Sequence, residues 1–248
     1  MNDLSGRTAL VTGGGSGAGA AIAMAFAEAG AKVWVAGRSE ERLREITAKH
    51  EAISGIAADV TDEQSVKSMF AAAGPCDVII ANAGAAESAP FAKTDLDAWQ
   101  RMIGVNLTGV FLTLREGLRQ MPEQGGRLIA VASTAGLKGY AYVAPYAAAK
   151  HGVIGLVRSL ALEIAKKKIT VNAICPGFMD TEMSDRSVAN VMKKTGMNEA
   201  DARAALTRFN PQGRLIQPLE VAETALWLCG DGAVSVNGQA IALSGGEV

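Results

Sequence analysis

The sequence has 248 residues, and its 24 lysines and arginines against 25 aspartates and glutamates give a formal net charge of −1. This balance leaves no electrostatic footprint for a nucleic acid or an anionic membrane, so we expect neither as a partner. Hydrophobic residues make up 49% of the chain, which excludes intrinsic disorder and predicts a folded protein with a single domain over residues 1–248.

Short β-branched or aliphatic runs alternate with longer segments whose apolar residues recur at intervals of three and four. This pattern is typical of repeated βαβ units. Seven strands are predicted, at residues 8–11, 32–36, 55–58, 77–81, 127–132, 169–174 and 239–243. Right-handed crossovers would place helices on both faces of one parallel sheet, which is a doubly wound (Rossmann) α/β fold with its ligand at the carboxyl ends of the strands.

Capping residues predict where several helices begin. Thr61 with Gln64 forms a capping box, and Thr94 with Asp97 begins a long helical region that reaches about residue 121. Pro218 occupies the first turn of the last helix.

The segment 179–215, between the sixth strand and the last helix, is helical but weakly patterned. Asn198 begins a second short helix inside it. We predict that this segment is a mobile lid over a substrate.

Cys76, Cys175 and Cys229 are far apart in the sequence and odd in number, so they predict neither a disulfide framework nor a zinc site. A reducing compartment, the cytoplasm, fits them best. Neither a signal peptide nor an apolar run long enough to span a bilayer is expected.

A glycine-rich turn follows the first strand and leads directly into a helix. Its sequence is Thr12-Gly13-Gly14-Gly15-Ser16-Gly17-Ala18-Gly19. Glycines let the backbone approach a pyrophosphate closely, and the free N–H groups and the helix dipole at residues 17–20 stabilise its charge. No Lys-Ser or Lys-Thr pair follows, which argues against a Walker A loop. The turn predicts a dinucleotide site; the alternative is a plain structural loop.

The end of the second strand bears on the choice of cofactor. An acidic residue here would bind a ribose 2′-hydroxyl, but the chain has Gly37-Arg38 instead. Because Arg38 offers a bidentate fork for a 2′-phosphate, we expect NADP(H) in preference to NAD(H), unless Arg38 merely faces solvent. Asp59 and Val60, at the end of the third strand, are predicted to flank the adenine, although Asp59 is equally consistent with a local turn residue.

Tyr146 and Lys150 are four residues apart, which places both on one face of a helix. The ammonium would then lower the phenol pKa from about 10 and prepare it for proton transfer. Ser133, at the end of the fifth strand, is predicted to hold a carbonyl oxygen beside Tyr146. These three residues are the candidate catalytic group.

Taken together, these motifs resemble those of the short-chain dehydrogenase/reductase family, in its ordinary-length branch, over essentially the whole chain. The glycine-rich turn is similar to the family's cofactor loop, and Asn82-Ala83-Gly84 to its fourth-strand motif. The segment Pro176-Gly177, with Thr181 beyond it, resembles the one that contacts the nicotinamide. The residues that match the catalytic tetrad are Asn106, Ser133, Tyr146 and Lys150.

The resemblance implies a role for each member of the tetrad. Tyr146 transfers the proton, Ser133 orients the substrate oxygen, Lys150 binds the nicotinamide ribose and lowers the phenol pKa, and Asn106 anchors a proton-relay water. It also implies an NAD(P)(H)-dependent ketone–alcohol oxidoreductase that forms a homotetramer.

The chain departs from the common family pattern at several positions. Ala18 replaces an isoleucine, Ala81 an asparagine, and Ser244 an acidic residue. Ser16 stands where many NADP-dependent members have a basic residue, so the expected preference for NADP(H) depends on Arg38 alone.

The lid resembles that of members acting on 3-oxoacyl or 3-hydroxyacyl groups. Where members that take free hydroxybutyrate have polar residues, this chain has Ala86, Ala135 and Val143. Because an unpaired buried carboxylate is costly, we expect a thioester, such as a CoA thioester, or a neutral small or cyclic ketone.

Other classes of function have less support. The only histidines are His50 and His151, and no Gly-x-Ser-x-Gly motif surrounds a serine, so a hydrolase triad has little material. His151 fits a helix surface better than a catalytic site, and no metal ligands are grouped. The remaining alternative is a protein that senses the dinucleotide without catalysis, and the presence of Tyr146 with Lys150 argues against it.

Overall fold

The computed structural model describes residues 3–248, and its centre is one parallel sheet with the strand order β3-β2-β1-β4-β5-β6-β7. This confirms the predicted doubly wound fold. Compared with the predicted strands, β3 begins and ends earlier and β6 runs on to Pro176. The strands are β1 (Thr8–Thr12), β2 (Lys32–Gly37), β3 (Ile53–Ala57), β4 (Val78–Ala81), β5 (Gly126–Val131), β6 (Ile169–Pro176) and β7 (Ala240–Leu243).

Helices cover both faces of the sheet and bury one apolar layer on each. One layer lies around Ile22 and Phe26, and the other around Phe70 and Leu114. Strands β4, β5 and β6 are buried throughout, as expected for central parallel strands. The helices are α1 (Gly17–Glu28), α2 (Glu40–Thr47), α3 (Glu63–Ala73), α4 (Leu96–Ile103), α5 (Gly109–Gln120), α6 (Ala144–Ile164), α7 (Glu182–Thr195), α8 (Glu199–Thr207) and α9 (Pro218–Cys229).

Two of the predicted helix caps are wrong by one residue. Asp62, not Thr61, caps α3, because the Thr61 hydroxyl instead donates to Asp59. Asp95, not Thr94, caps α4, because the Thr94 hydroxyl donates to the Pro90 carbonyl oxygen. In each case the threonine hydroxyl is hydrogen-bonded to an oxygen that lies earlier in the chain and so does not cap the helix.

The long helical region predicted up to residue 121 is interrupted. A π-helical turn at Gly104–Thr108 separates α4 from α5. Such turns are frequent at functional sites, and this one contains Asn106.

The remaining helix predictions hold. Pro218 lies in the first turn of α9, and the segment 179–215 contains α7 and α8, with Asn198 capping α8. Between residues 3 and 248, no helix is both long and apolar enough to cross a bilayer.

Candidate active site

The loop that follows β1 and the loop that follows β4 meet at the carboxyl end of the sheet, where the strand order reverses. The Thr12 hydroxyl is buried, donates to the Ile80 carbonyl oxygen and accepts the N–H groups of Asn82 and Ala83. The Asn82 amide in turn donates to the carbonyl oxygens of Thr12 and Gly13. Thr12 and Asn82 therefore hold the two loops together from within the protein.

Two glycines of the first loop are required by geometry. Gly13 has a φ of +66°, in the left-handed region. A Cβ on Gly19 would collide with the Gly13 carbonyl oxygen and the Asn82 side chain. The turn therefore leaves no space for a side chain at Gly19.

The amino-terminal end of α1 is left open for a ligand. Ser16 occupies the cap position, but its side chain makes no cap hydrogen bond. Thr181 lies over the loop, its Cγ2 atom 3.4 Å from the position that a Cβ on Gly17 would take. Uncapped N–H groups beside a helix dipole suit a phosphate, so the loop fits the pyrophosphate of a dinucleotide.

Arg38 and Asp59, which were predicted to lie near the adenosine, follow β2 and β3. Arg38 is exposed, and its charge helps to lower the pKa of Asp59, after the larger effect of the Thr61 N–H. Asp59 Oδ1 accepts the N–H and the hydroxyl of Thr61, which is the local turn that the sequence analysis gave as its alternative. Val60 is buried against Gly109.

The structure brings Ser133, Tyr146 and Lys150 together at the carboxyl end of β5. The Ser133 hydroxyl interacts with the Tyr146 hydroxyl and acts to lower the pKa of that phenol. Lys150 is buried on α6, and its Nζ donates to the Val131 carbonyl oxygen over 2.9 Å. The Lys150 Nζ also lies 3.8 Å from the Cβ position of Gly84, next to the fourth-strand motif.

The predicted lowering of the phenol pKa by Lys150 is wrong for the protein on its own. Burial raises the pKa of Tyr146, and the hydrogen bond with Ser133 only partly offsets this. Burial also lowers the pKa of Lys150, to about 8. Desolvation is the largest effect on both residues, with Lys150 buried and Tyr146 half-buried, so the phenol is neutral and is set to act as an acid.

Asn106 lies in the π-helical turn and is completely buried. Its amide nitrogen donates to the carbonyl oxygens of Ala85 and Met102, and its Oδ1 accepts the Ala85 N–H. A Cβ on Gly84 would lie 2.9 Å from Oδ1. Asn106 therefore attaches the backbone of Gly84 and Ala85 to the helical layer beside Lys150.

Pro176 and Gly177 lie at the end of β6, next to the catalytic group. Ser133 Oγ lies 3.5 Å from the Pro176 carbonyl oxygen, and the Gly177 N–H donates to the Leu243 carbonyl oxygen. Phe178, which follows, packs with Tyr140 and Phe209, so the end of the lid contacts the segment between Ser133 and Tyr146.

Sequence reasoning missed two ion pairs around the site. Arg42 on α2 pairs with Glu182 at the start of the lid, at 2.7 Å, and Lys138 pairs with Glu247 at 2.9 Å. The partners are distant in sequence, so no spacing pattern could have revealed either pair. His151 is exposed on α6, as predicted, and within residues 3–248 no three potential metal ligands are grouped.

The chain is similar to known proteins over nearly its whole length. The sequence profile for short chain dehydrogenases matches residues 7–191. A cis-4-hydroxycyclohexanecarboxylate dehydrogenase from Sinomonas cyclohexanicum is 42% identical, over 97% of this chain and 96% of that protein. A protein assigned as ketoacyl reductase 1 of the granaticin polyketide synthase of Streptomyces violaceoruber is 37% identical, over 96% of this chain and 92% of that protein.

The fold comparison agrees with the sequence comparison. The crystal structure of a single-residue variant of the actinorhodin polyketide ketoreductase with NADPH superposes with a TM-score of 0.91, at 36% identity. The match covers 100% of this chain and 99% of that one.

Proposed function

Because this chain belongs to the short-chain dehydrogenase/reductase family, we propose that it interconverts a 3-oxoacyl and a 3-hydroxyacyl thioester with NADP(H). Family membership makes it an NAD(P)-dependent oxidoreductase that acts on CH–OH groups. The observation that carries the proposal is the meeting of Ser133, Tyr146 and Lys150 beside the open end of α1.

The residues divide the chemistry between them. A bound nicotinamide supplies or accepts the hydride at the carbonyl carbon. Ser133 Oγ accepts the Ala135 N–H and donates to the Pro176 carbonyl oxygen over 3.5 Å, and a substrate oxygen would replace this long contact as the acceptor. Tyr146, next to that hydroxyl and neutral, donates the proton to the same oxygen during reduction and takes it back during oxidation.

Lys150 has a positioning and binding role in this scheme. Its Nζ is held between the Val131 carbonyl oxygen and Gly84, so it is placed to bind the nicotinamide ribose hydroxyls. Asn106 holds the backbone of the neighbouring loop, and we propose that it supports the relay water by fixing this part of the site.

The proposed preference for NADP(H) is supported by the residue that follows β2. Arg38 is exposed at the end of β2, with no acidic residue in the position that would bind a ribose 2′-hydroxyl. A guanidinium there favours a 2′-phosphate. We propose that Thr181, Pro176 and Gly177 contact the nicotinamide half and that Val60 contacts the adenine.

The proposed thioester agrees with the residues around Ser133. Ala135 is buried, and Ala86 and Val143 add no charge, so a free carboxylate would find no partner among these three residues. The second candidate is a neutral small or cyclic ketone. The cyclic form of this alternative is favoured by the 42% identity to a dehydrogenase named for a cyclic alcohol; that alcohol carries a carboxylate, so the match supports the ring and not the neutral charge.

A spectrophotometric screen tests the proposal. NADPH and NADH are each offered with a panel of 3-oxoacyl thioesters, including acetoacetyl-CoA, and of free 3-oxo acids and cyclic ketones. We expect oxidation of NADPH with a thioester to be fastest. Preference for free acetoacetate would contradict the proposed substrate, and no turnover of any ketone would contradict the proposed function and favour a dinucleotide-sensing protein.

We also propose a cytoplasmic homotetramer. Large apolar side chains are exposed on helix faces, with Phe111 on α5, Leu162 on α6, and Leu219 and Trp227 on α9. We propose that these helix faces form the association surfaces of the assembly. The three cysteines are unpaired and buried, which suits a reducing compartment. Light scattering of the native protein and of Leu162→Lys checks the assembly, because we expect the variant to dissociate.

A further inference from the structure

Glu247, in the segment that follows β7, has a carboxylate that is almost wholly buried. Its side chain is 3% exposed. It accepts a hydrogen bond from the Tyr140 hydroxyl at 2.5 Å, and its Oε1 lies 2.9 Å from Lys138 Nζ. A buried charge is costly unless it is paired and hydrogen-bonded, so these two partners account for its position.

This carboxylate borders the proposed catalytic group on two sides. The Tyr140 hydroxyl is also 2.7 Å from the hydroxyl of Thr134, the residue after Ser133. On the other side, Glu247 Oε2 lies 3.4 Å from the Cβ position of Gly177, beside the Pro176 carbonyl oxygen that Ser133 faces. The Tyr140 hydroxyl is fully used in this network, and burial and Glu247 raise its pKa, so it is no rival to Tyr146 as the proton donor.

Lys138 is the residue whose charge Glu247 neutralises. Its side chain is 37% exposed, and its Nζ lies 5.2 Å from the centroid of the Tyr140 ring. An ammonium in this position without its carboxylate would attract a substrate carboxylate. With the pair formed, that attraction is cancelled.

We propose that Glu247 is a specificity-determining residue, which selects neutral ketones over ketones that carry a carboxylate by neutralising Lys138. The inference rests on the proposed ketone–alcohol chemistry and adds a basis for its substrate class.

The test uses two pairs of probes that differ only in charge. They are acetoacetate with ethyl acetoacetate, and 4-oxocyclohexanecarboxylate with its ethyl ester. The quantity measured is the acid-to-ester ratio of kcat/KM. In Glu247→Gln, which keeps an acceptor for Tyr140, we expect this ratio to rise at least about tenfold, and less at high salt, because one ammonium is unmasked.

Lys138→Met is the matched variant at the other member of the ion pair. It removes the ammonium that Glu247 neutralises and leaves the Tyr140 hydroxyl as the partner of that carboxylate, so the acid-to-ester ratio should not rise above the native value. In the double variant, with both groups removed, the ratio should be close to the native value. Comparing Glu247→Gln with the double variant separates the effect of the ammonium from any effect of the glutamine on folding.

A merely structural role for Glu247 would lower kcat/KM for acid and ester in the same proportion. An unchanged ratio in both single variants would therefore overturn the inference while leaving the proposed function intact. A native protein that turns over no ketone would overturn both the inference and the proposed function. NADPH binding, measured by fluorescence for each variant, shows whether a loss of activity comes from loss of the cofactor site.

Discussion

The Nζ atom of Lys150 lies 5.6 Å from the centroid of the Tyr146 ring. Lys150 follows Tyr146 by one turn of α6, and its ammonium lies over the tyrosine ring. The same ammonium donates a hydrogen bond to the Val131 carbonyl oxygen. The ammonium of Lys150 is therefore near the Tyr146 ring, whereas the Tyr146 hydroxyl interacts with Ser133.

The proposed acid–base role makes the Tyr146 hydroxyl the group that matters most. Tyr146→Phe should lower kcat at least about 10²-fold, since general acid catalysis contributes that much. NADPH binding should persist, because the ring remains in place. Tyr142→Phe is a suitable control, since that side chain is 66% exposed, and it should change kcat by less than about threefold. Full activity in Tyr146→Phe would refute the role.

The cofactor preference should depend on Arg38. Arg38→Asp should shift the ratio of NADP+ to NAD+ affinity at least about tenfold toward NAD+, because a charge-assisted contact to the 2′-phosphate is replaced by repulsion. Equilibrium titrations measure this ratio. Arg44→Asp, an exposed position on α2 with the same change of charge, should leave it nearly constant. If Arg38→Asp also leaves it constant, Arg38 merely faces solvent.

The buried Lys150 should give the protein a recognisable pH dependence of stability. Burial lowers its pKa from 10.5 to about 8, so between these values the unfolded chain binds more protons than the folded one. The free energy of unfolding should then rise with pH across this window, by about 3 kcal/mol from this residue. Urea unfolding at pH 7.5 to 10.5 should show a steeper rise for the native protein than for Lys150→Met. Equal slopes would contradict the lowered pKa.

The glycine-rich turn should tolerate no side chain at Gly19. Gly19→Ala should weaken NADPH binding at least about tenfold and lower the unfolding temperature, because the new Cβ would overlap the Gly13 carbonyl oxygen. Gly139→Ala is the matched control, since no atom lies within 4 Å of its Cβ position. Normal binding by Gly19→Ala would show that the turn is looser than its geometry indicates.

The lid should depend on its ion pair with α2. Arg42 pairs with Glu182 at 2.7 Å, whereas Arg186, on the same helix as Glu182, lies 3.7 Å from that carboxylate. Arg42→Ala should speed limited proteolysis within residues 179–215, because an anchor between two separate elements is lost. Arg186→Ala should have little effect, as an exposed pair within one helix contributes little. Equal proteolysis of both variants would mean that Arg42 does not anchor the lid.

Local sequence was sufficient for the fold and for the members of the candidate site. The alternation of short apolar runs with helical periodicity predicted the parallel sheet, because strands buried on both faces must be apolar throughout. The spacing of Tyr146 and Lys150, and the glycines after β1, are properties of one helix and one turn, which the chain itself determines.

Tertiary structure decided the electrostatics and the long-range contacts. The sequence predicted that Lys150 would lower the phenol pKa, but burial raises it, and burial depends on every element packed around α6. Asp62 and Asp95 cap their helices because the hydroxyl of the preceding threonine is hydrogen-bonded to another oxygen. Glu247 reaches Tyr140 across 107 residues, and only the folded chain brings such distant charges close enough to matter.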